Sequence, residues 1–400
     1  MELVSHRMSR IKPSSTLAVS ARAAELKALG HDVIGLGAGE PDFDTPDHIK
    51  KAAINALSLG KTKYTAVEGI LPLRKAIVEK FKRENEIDYT LNQIIVGGGA
   101  KQIIFNAFLA SLNPGDEVII PAPYWVSYPD IVELAEGTSV IVRGAPENHL
   151  KLTPQSLEEA ITSKTKWLIL NSPNNPSGMA YTRKELEALA EVIRHNPHVY
   201  VLSDDIYEHL IYDGFQFTTL AQVAPDLKER VLTVNGMSKA YAMTGWRIGY
   251  GAGPQPLINA MAILQSQSTT HASSLSQEAA VVALEGPQNF IKEWVKVYTD
   301  RRDKTLDILN KTPGLTCLKP QGAFYLFPSC VGLMGKKTPS GTRITSDTDL
   351  AAYLLESAGV AVVPGAAFGL SPYFRISYPI DTNILLEACN RISQAIQLLK

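Results

Sequence analysis

Seven short apolar runs alternate with long, capped helical patterns, and that alternation leaves few folds open to this chain. Gln93–Val96, Glu117–Ile120, Ser139–Val142, Lys166–Leu170, His198–Leu202, Arg230–Val234 and Arg247–Tyr250 read as strands. Most are near-continuous in apolar character rather than alternating, as strands are when helices cover both faces of a sheet. Helix starts lie between them. Thr153-Pro154 sets a cap residue before a proline suited to the first helical position, and Thr182-Arg183-Lys184-Glu185 is a capping box opening a helix to about His195. Repeated strand–helix–strand units predict an α/β fold with a mostly parallel sheet sandwiched by helices.

After Ile291 the pattern changes. A long polar-faced helix to about Asn310 precedes Thr316–Lys319, Ala323–Phe327, a helix over Asp349–Ala358, Ala361–Val363, Phe374–Tyr378 and a final helix to Lys400. This reads as a smaller α+β domain. The expected division is a large domain over 46–294 and a small one built from 295–400 with the N-terminal segment 1–45. A chain of 400 residues, 45% of them hydrophobic, is long enough for two cores. Cys330–Asp347 reads as an exposed loop.

Composition narrows the function. The net charge is -1, so no basic footprint points to nucleic acid or an acidic membrane surface. Cys317, Cys330 and Cys389 are scattered and odd in number, which fits reduced packing residues better than a disulfide framework or a zinc site. The eight histidines show no metal-ligand spacing, so no metal is expected. The N-terminus lacks an apolar signal core, and no run of about 18 apolar residues occurs, so a cytoplasmic protein is expected. Gly35-Leu36-Gly37-Ala38-Gly39 lacks the spacing and following helix of a dinucleotide fingerprint. Gly97-Gly98-Gly99-Ala100-Lys101 lacks the Ser/Thr of a P-loop. The second stretch still leads into the helical pattern Gln102–Leu112, and free N–H groups at a helix start suit a phosphate.

The most informative segment is Ser238-Lys239-Ala240-Tyr241-Ala242-Met243-Thr244-Gly245-Trp246-Arg247. A lysine among small, aromatic and hydroxyl residues is partly desolvated, as a neutral amine nucleophile must be. An arginine eight residues on can grip a phosphate. This stretch resembles the cofactor-lysine segment of the class I (fold type I) pyridoxal-phosphate (PLP) aminotransferases. Asn171-Ser172-Pro173-Asn174-Asn175-Pro176-Ser177-Gly178 and Ser203-Asp204-Asp205-Ile206-Tyr207 resemble the family's next landmarks, in the same order. The likeness spans Gly35–Phe43 to Phe374–Tyr378. It is nearest to the bacterial aspartate aminotransferases of the subgroup that includes aspartate/prephenate enzymes.

The resemblance implies a seven-stranded large-domain sheet and a role for each matching residue. Lys239 carries PLP as a Schiff base and moves the Cα proton. Asp204 pairs with the pyridine nitrogen, and Asn175 and Tyr207 contact the phenolic oxygen. Trp125 stacks on the ring. Gly99, Ala100, Ser238 and Arg247 hold the phosphate, joined by Tyr64 from a neighbouring subunit, so a homodimer is implied. Arg375 and Gly39 meet the substrate α-carboxylate, with Trp125 and Asn175 beside it. Two departures stand out. Gly236 occupies the place of a phosphate-binding serine in animal-type enzymes. No arginine near Thr269-Thr270-His271 is available for a distal carboxylate, a role that falls to Lys101 and Lys12 in this subgroup. The implied reaction is transamination of L-aspartate with 2-oxoglutarate, with prephenate as a further acceptor. Aromatic, alanine or methionine-type aminotransferases and carbon–sulfur lyases share the fold. A non-catalytic regulator built on the same domain usually adds a basic DNA-binding module, and none is visible here.

Overall fold

The computed structural model describes residues 3–11 and 15–400. Among them the strands run β1 Ile34–Gly35, β2 Ile94–Gly97, β3 Glu117–Ala122, β4 Thr138–Arg143, β5 Thr165–Asn171, β6 Tyr200–Asp204, β7 Val231–Gly236, β8 Gly249–Ala252, β9 Tyr325–Leu326, β10 Val360–Ala361, β11 Val363–Pro364 and β12 Phe374–Ser377. The seven strands β2 to β8 form one sheet in the order β2-β8-β7-β6-β5-β3-β4. Only β8 runs antiparallel to its neighbours.

Residue parity explains why these strands read as continuous apolar runs. Ile94 and Val96, Ile119, and Leu168 and Leu170 pack in one buried cluster. Ile95, Val118 and Ile120, and Trp167 and Ile169 pack in another. Successive side chains point to opposite faces, so both faces of the sheet are covered. A further cluster joins the helix Asn289–Lys311, the terminal helix Thr382–Gln397 and the antiparallel sheet β11-β12-β9. It holds Cys317, Cys330 and Cys389, all buried and unpaired. Leu333 and Ile344 anchor the largely exposed segment 330–347 to it. β1 pairs in parallel with β10, Ile34 opposite Val360, which ties the N-terminal segment to the C-terminal part.

The expected helix starts hold. Thr182 and Glu185 cap each other reciprocally ahead of Arg183–His195, and Thr153 does the same with Ser156. Several strand expectations need correction, and Ala361–Val363 is split between β10, which pairs with β1, and β11, which pairs with β12. Thr316–Lys319 makes only one isolated bridge, Thr316 to Ser329, because the Asn310 amide side chain takes both the N–H and the C=O of Cys317. The strand expected from His198 begins at Tyr200, since Val199 N–H turns back to Asn196 O. The strand expected from Arg247 begins at Gly249, since Arg247 sits in the left-handed region with φ 54°.

The C-terminal ends of β2, β3, β5, β6 and β7 all open on one side of the sheet. They deliver, in turn, the Gly97–Ala100 turn, the Pro123–Trp125 loop, the asparagine loop after Asn171, the segment after Asp204, and the Ser238–Arg247 segment. Ligands of open α/β sheets bind at these ends. No described helix is long and apolar enough to cross a membrane.

Candidate active site

A cleft of about 620 Å³ lies at this edge of the sheet, in the size range of small-molecule sites. Ala100, Lys101, Trp125, Asn175, Asp204, Tyr207, Ser238, Lys239, Arg247, Arg375 and Gly39 all line it. Residues from 39 to 375 therefore converge on one cavity. Gly99 lies just behind the lining, and Tyr64 is not part of it. Lys12 falls outside the described residues.

The turn after β2 is shaped for an anion. Gly99 has φ +93°, a conformation that favours glycine, and a Cβ there would stand 2.5 Å from Arg247 Nη2. The helix Ala100–Ser111 starts immediately after, so its unsatisfied N–H groups face the cleft. Arg247 is held over this turn by hydrogen bonds it donates to Thr244 O (2.9 Å) and Gly98 O (3.1 Å). Gly236 answers to packing. A Cβ there would lie 2.9 Å from Gly249 Cα across the β7–β8 pair, so no serine fits.

Lys239 Nζ donates to Gly39 O at 2.6 Å and lies near the rings of Tyr207 and Phe324. Desolvation, then the charge of Arg375, pulls its pKa down to about 8. A near-neutral amine is therefore accessible at ordinary pH. Asp204 ends β6 and is buried, which pushes its carboxyl up to about 6. Hydrogen bonds from Tyr128 Oη (2.6 Å) and Ile206 N (3.3 Å) oppose that rise. Lys101 Nζ sits over the Trp125 ring at 4.8 Å, and desolvation followed by the Arg247 charge lowers its pKa.

Arg375, on β12, is 2% exposed. Its guanidinium carbon lies over the Tyr325 ring at 4.7 Å and over the Phe368 ring at 4.9 Å. It donates to Asn175 Oδ1 (2.8 Å) and Gly37 O (2.6 Å), while Nε has no partner. Among the described residues no carboxylate forms an ion pair with it. A buried guanidinium that lines a cleft without a carboxylate paired to it is a ready receptor for an anion.

Tyr64 is 88% exposed, edge-on to His271 at 5.7 Å. Reading the sequence missed Tyr128 and Tyr325. Tyr128 lies one helical turn beyond Trp125, edge-on to it at 5.3 Å, and that spacing was the available signal. Tyr325 has no local signal. Its hydroxyl meets Tyr207 Oη at 2.6 Å, 118 residues away in the chain.

One group with ligand-like spacing exists among the described residues, Glu84, Glu208 and His209. Lys80 Nζ already fills the cation position there, bonding to Glu208 and to Asn85 Oδ1 at 2.8 Å. The network is a buried ion pair under the Asp205–Leu210 turns.

The chemistry of the donor set fits PLP. A helix-start cradle with Arg247 suits its phosphate, a desolvated lysine suits its aldehyde, and a buried carboxylate with a raised pKa suits a protonated ring nitrogen. Residues 31–392 match the family model "Aminotransferase class I and II". The chain is 59% identical over 394 residues to a probable aspartate/prephenate aminotransferase of Rhizobium leguminosarum bv. phaseoli, covering 98% of each. It is 58% identical over 392 residues to the aspartate/prephenate aminotransferase of Cereibacter sphaeroides, again covering 98% of each. The solved aspartate aminotransferase of Rhizobium meliloti superposes with a TM-score of 0.98 at 56% identity, over 100% of both chains. The protein is thus an aminotransferase of the class I and II family, dependent on pyridoxal phosphate.

Proposed function

We propose that this enzyme transfers the amino group of L-aspartate to 2-oxoglutarate, giving oxaloacetate and L-glutamate by alternating half-reactions, and that it also converts prephenate to arogenate. The observation that carries the reading is Arg375, buried, with no carboxylate paired to it among the described residues, and lining the same cleft as Lys239. The names of the relatives supply the substrates.

In this reading Arg375 receives the α-carboxylate through its planar fork, with the Gly39 backbone on the other side. Lys239, as a free amine, would move the proton between the substrate Cα and the cofactor carbon. Bound PLP supplies an electron sink for the pair left at Cα. Asp204 would stabilise a positive ring nitrogen, and Tyr207 and Asn175 would serve the phenolic oxygen. Trp125 would pack against the ring. Ala100 N–H, Gly99, Ser238 and Arg247 would hold the phosphate. Lys101, with Lys12, answers the distal carboxylate. The fall of the Lys239 pKa and the rise of the Asp204 pKa suit their tasks, since burial drives both toward neutral forms that bound partners can then charge selectively.

Arg375→Ala removes a buried cation that has no carboxylate paired with it among the described residues. It should weaken transition-state binding of L-aspartate by about 2–5 kcal/mol. Steady-state kinetics should therefore show kcat/KM reduced by roughly 30-fold or more, and an unchanged value removes Arg375 from the site.

Asp204→Asn separates cofactor chemistry from stability. A carboxyl whose folded pKa is raised stabilises the fold at low pH and loses that contribution as pH rises through about 6. Above pH 6 the cofactor-free protein carries a desolvated charge that asparagine lacks. The variant should be more stable than the parent by about 1–3 kcal/mol at pH 8, less so at pH 5, yet transaminate poorly. Thermal unfolding of the cofactor-free proteins at the two pH values checks the sign.

We also propose a homodimer in which Tyr64 completes the partner's cleft. Tyr64 is exposed and does not line its own pocket, and Ile54, Leu57 and Leu59 nearby in sequence are exposed apolar residues. Lys239→Ala alone should be inactive, and Tyr64→Ala should be weakened. Refolding the two together should restore activity, because mixed dimers contain one intact site. No gain on mixing contradicts sharing.

A further inference from the structure

β9 and β12 pair antiparallel with Tyr325 opposite Ser377. Arg375 lies two residues from Ser377 and so shares its face, diagonal to Tyr325 and within reach of a long side chain. That register explains how the Tyr325 ring comes to lie 4.7 Å from the Arg375 guanidinium. The same residue reaches the other way with its hydroxyl, which meets Tyr207 Oη at 2.6 Å. Tyr207 belongs to the segment after β6, in the large sheet. Tyr325 is therefore the side chain that touches both the arginine and Tyr207. It is fully buried, with no conformational slack. It also fixes the backbone opposite: a Cβ on Gly39 would stand 2.6 Å from Tyr325 Oη, so the residue whose carbonyl accepts Lys239 must be glycine.

We propose that Tyr325 is a positioning residue for transamination: its ring holds the Arg375 guanidinium flat against the cleft, and its hydroxyl fixes Tyr207 so that the Tyr207 proton points at the cofactor's phenolic oxygen. The proposal rests on the roles given above to Tyr207 and Arg375. Two hydroxyls in a pair share one hydrogen. With Tyr325 donating, the Tyr207 proton is left for the cleft; without Tyr325, Tyr207 loses its partner and its aim. The face of a tyrosine attracts a guanidinium most strongly where water is absent, as here. The two parts of the side chain thus serve different steps, and they can be removed separately.

The test is a pH titration of the visible band of the PLP-loaded protein, together with steady-state kinetics on L-aspartate. A phenolic oxygen that loses a donor holds its own proton more tightly, so the spectral midpoint moves to higher pH. Tyr207→Phe and Tyr325→Phe should both move it upward, and the double variant should move it no further than Tyr207→Phe alone. Tyr325→Phe keeps the ring and should leave KM within about threefold. Tyr325→Leu loses it and should raise KM roughly tenfold. Circular dichroism and thermal midpoints establish that each variant is folded, and Tyr325→Phe, which leaves the core volume intact, carries the test if Tyr325→Leu does not fold. A midpoint that shifts in Tyr207→Phe but not in Tyr325→Phe overturns the proposal and leaves the role of Tyr207 standing. A midpoint unmoved in Tyr207→Phe overturns that role, and the proposal with it.

Discussion

A guanidinium held in the protein interior without a carboxylate beside it is the constraint around which this site is built. Removing such a charge from water is costly unless polar groups and aromatic faces replace the lost solvation. Around Arg375 the replacement is partial. Two rings lie against it, Asn175 and the Gly37 carbonyl take two of its five N–H groups, and Nε has no partner. The same positive charge helps desolvation, the larger cause, to lower the Lys239 pKa to about 8. An anion binding at Arg375 would offset this influence, so occupancy of the carboxylate site and the protonation of the lysine are electrostatically linked.

The fold makes that arrangement possible by bringing two independently built layers together. The parallel sheet is rigid because both faces are buried, and its strand ends present Asp204, the Gly99 turn and the Lys239 segment in fixed positions. The small antiparallel sheet presents Arg375 and Tyr325 from the other side. At the cleft the two layers meet through polar contacts: Arg375 with Asn175, Tyr325 with Tyr207, and Lys239 with the Gly39 carbonyl. Behind it Tyr207, Leu210 and Tyr212 share one buried cluster with Phe324, Tyr325 and Ile376, so an apolar seam backs the groups that substrate and cofactor would engage.

How much of this could be read from the amino-acid order follows from the range of each interaction. Lys239, Asp204 and Asn175 sit at strand ends within short distinctive strings, so their convergence on one cleft was legible. The capping boxes at Thr182 and Thr153 were legible for the same reason, being local. Strand limits failed where a side chain or a left-handed residue intercepted the backbone, as Asn310 does at Cys317 and φ 54° does at Arg247. The link between Tyr325 and Tyr207 depends on the register of two strands and a loop from a different sheet, and no periodicity reports that. Gly236 looked like a departure in phosphate binding; in the structure its small size is required by the close approach of β7 and β8.

Binding of L-aspartate by its α-carboxylate and removal of its amino group are read from the visible spectrum of the PLP-loaded enzyme during titration with L-aspartate in the absence of any oxo acid. The band of the lysine-held cofactor should disappear and the pyridoxamine form grow, reversed on adding 2-oxoglutarate or prephenate. A band that persists through saturating aspartate would contradict this assignment.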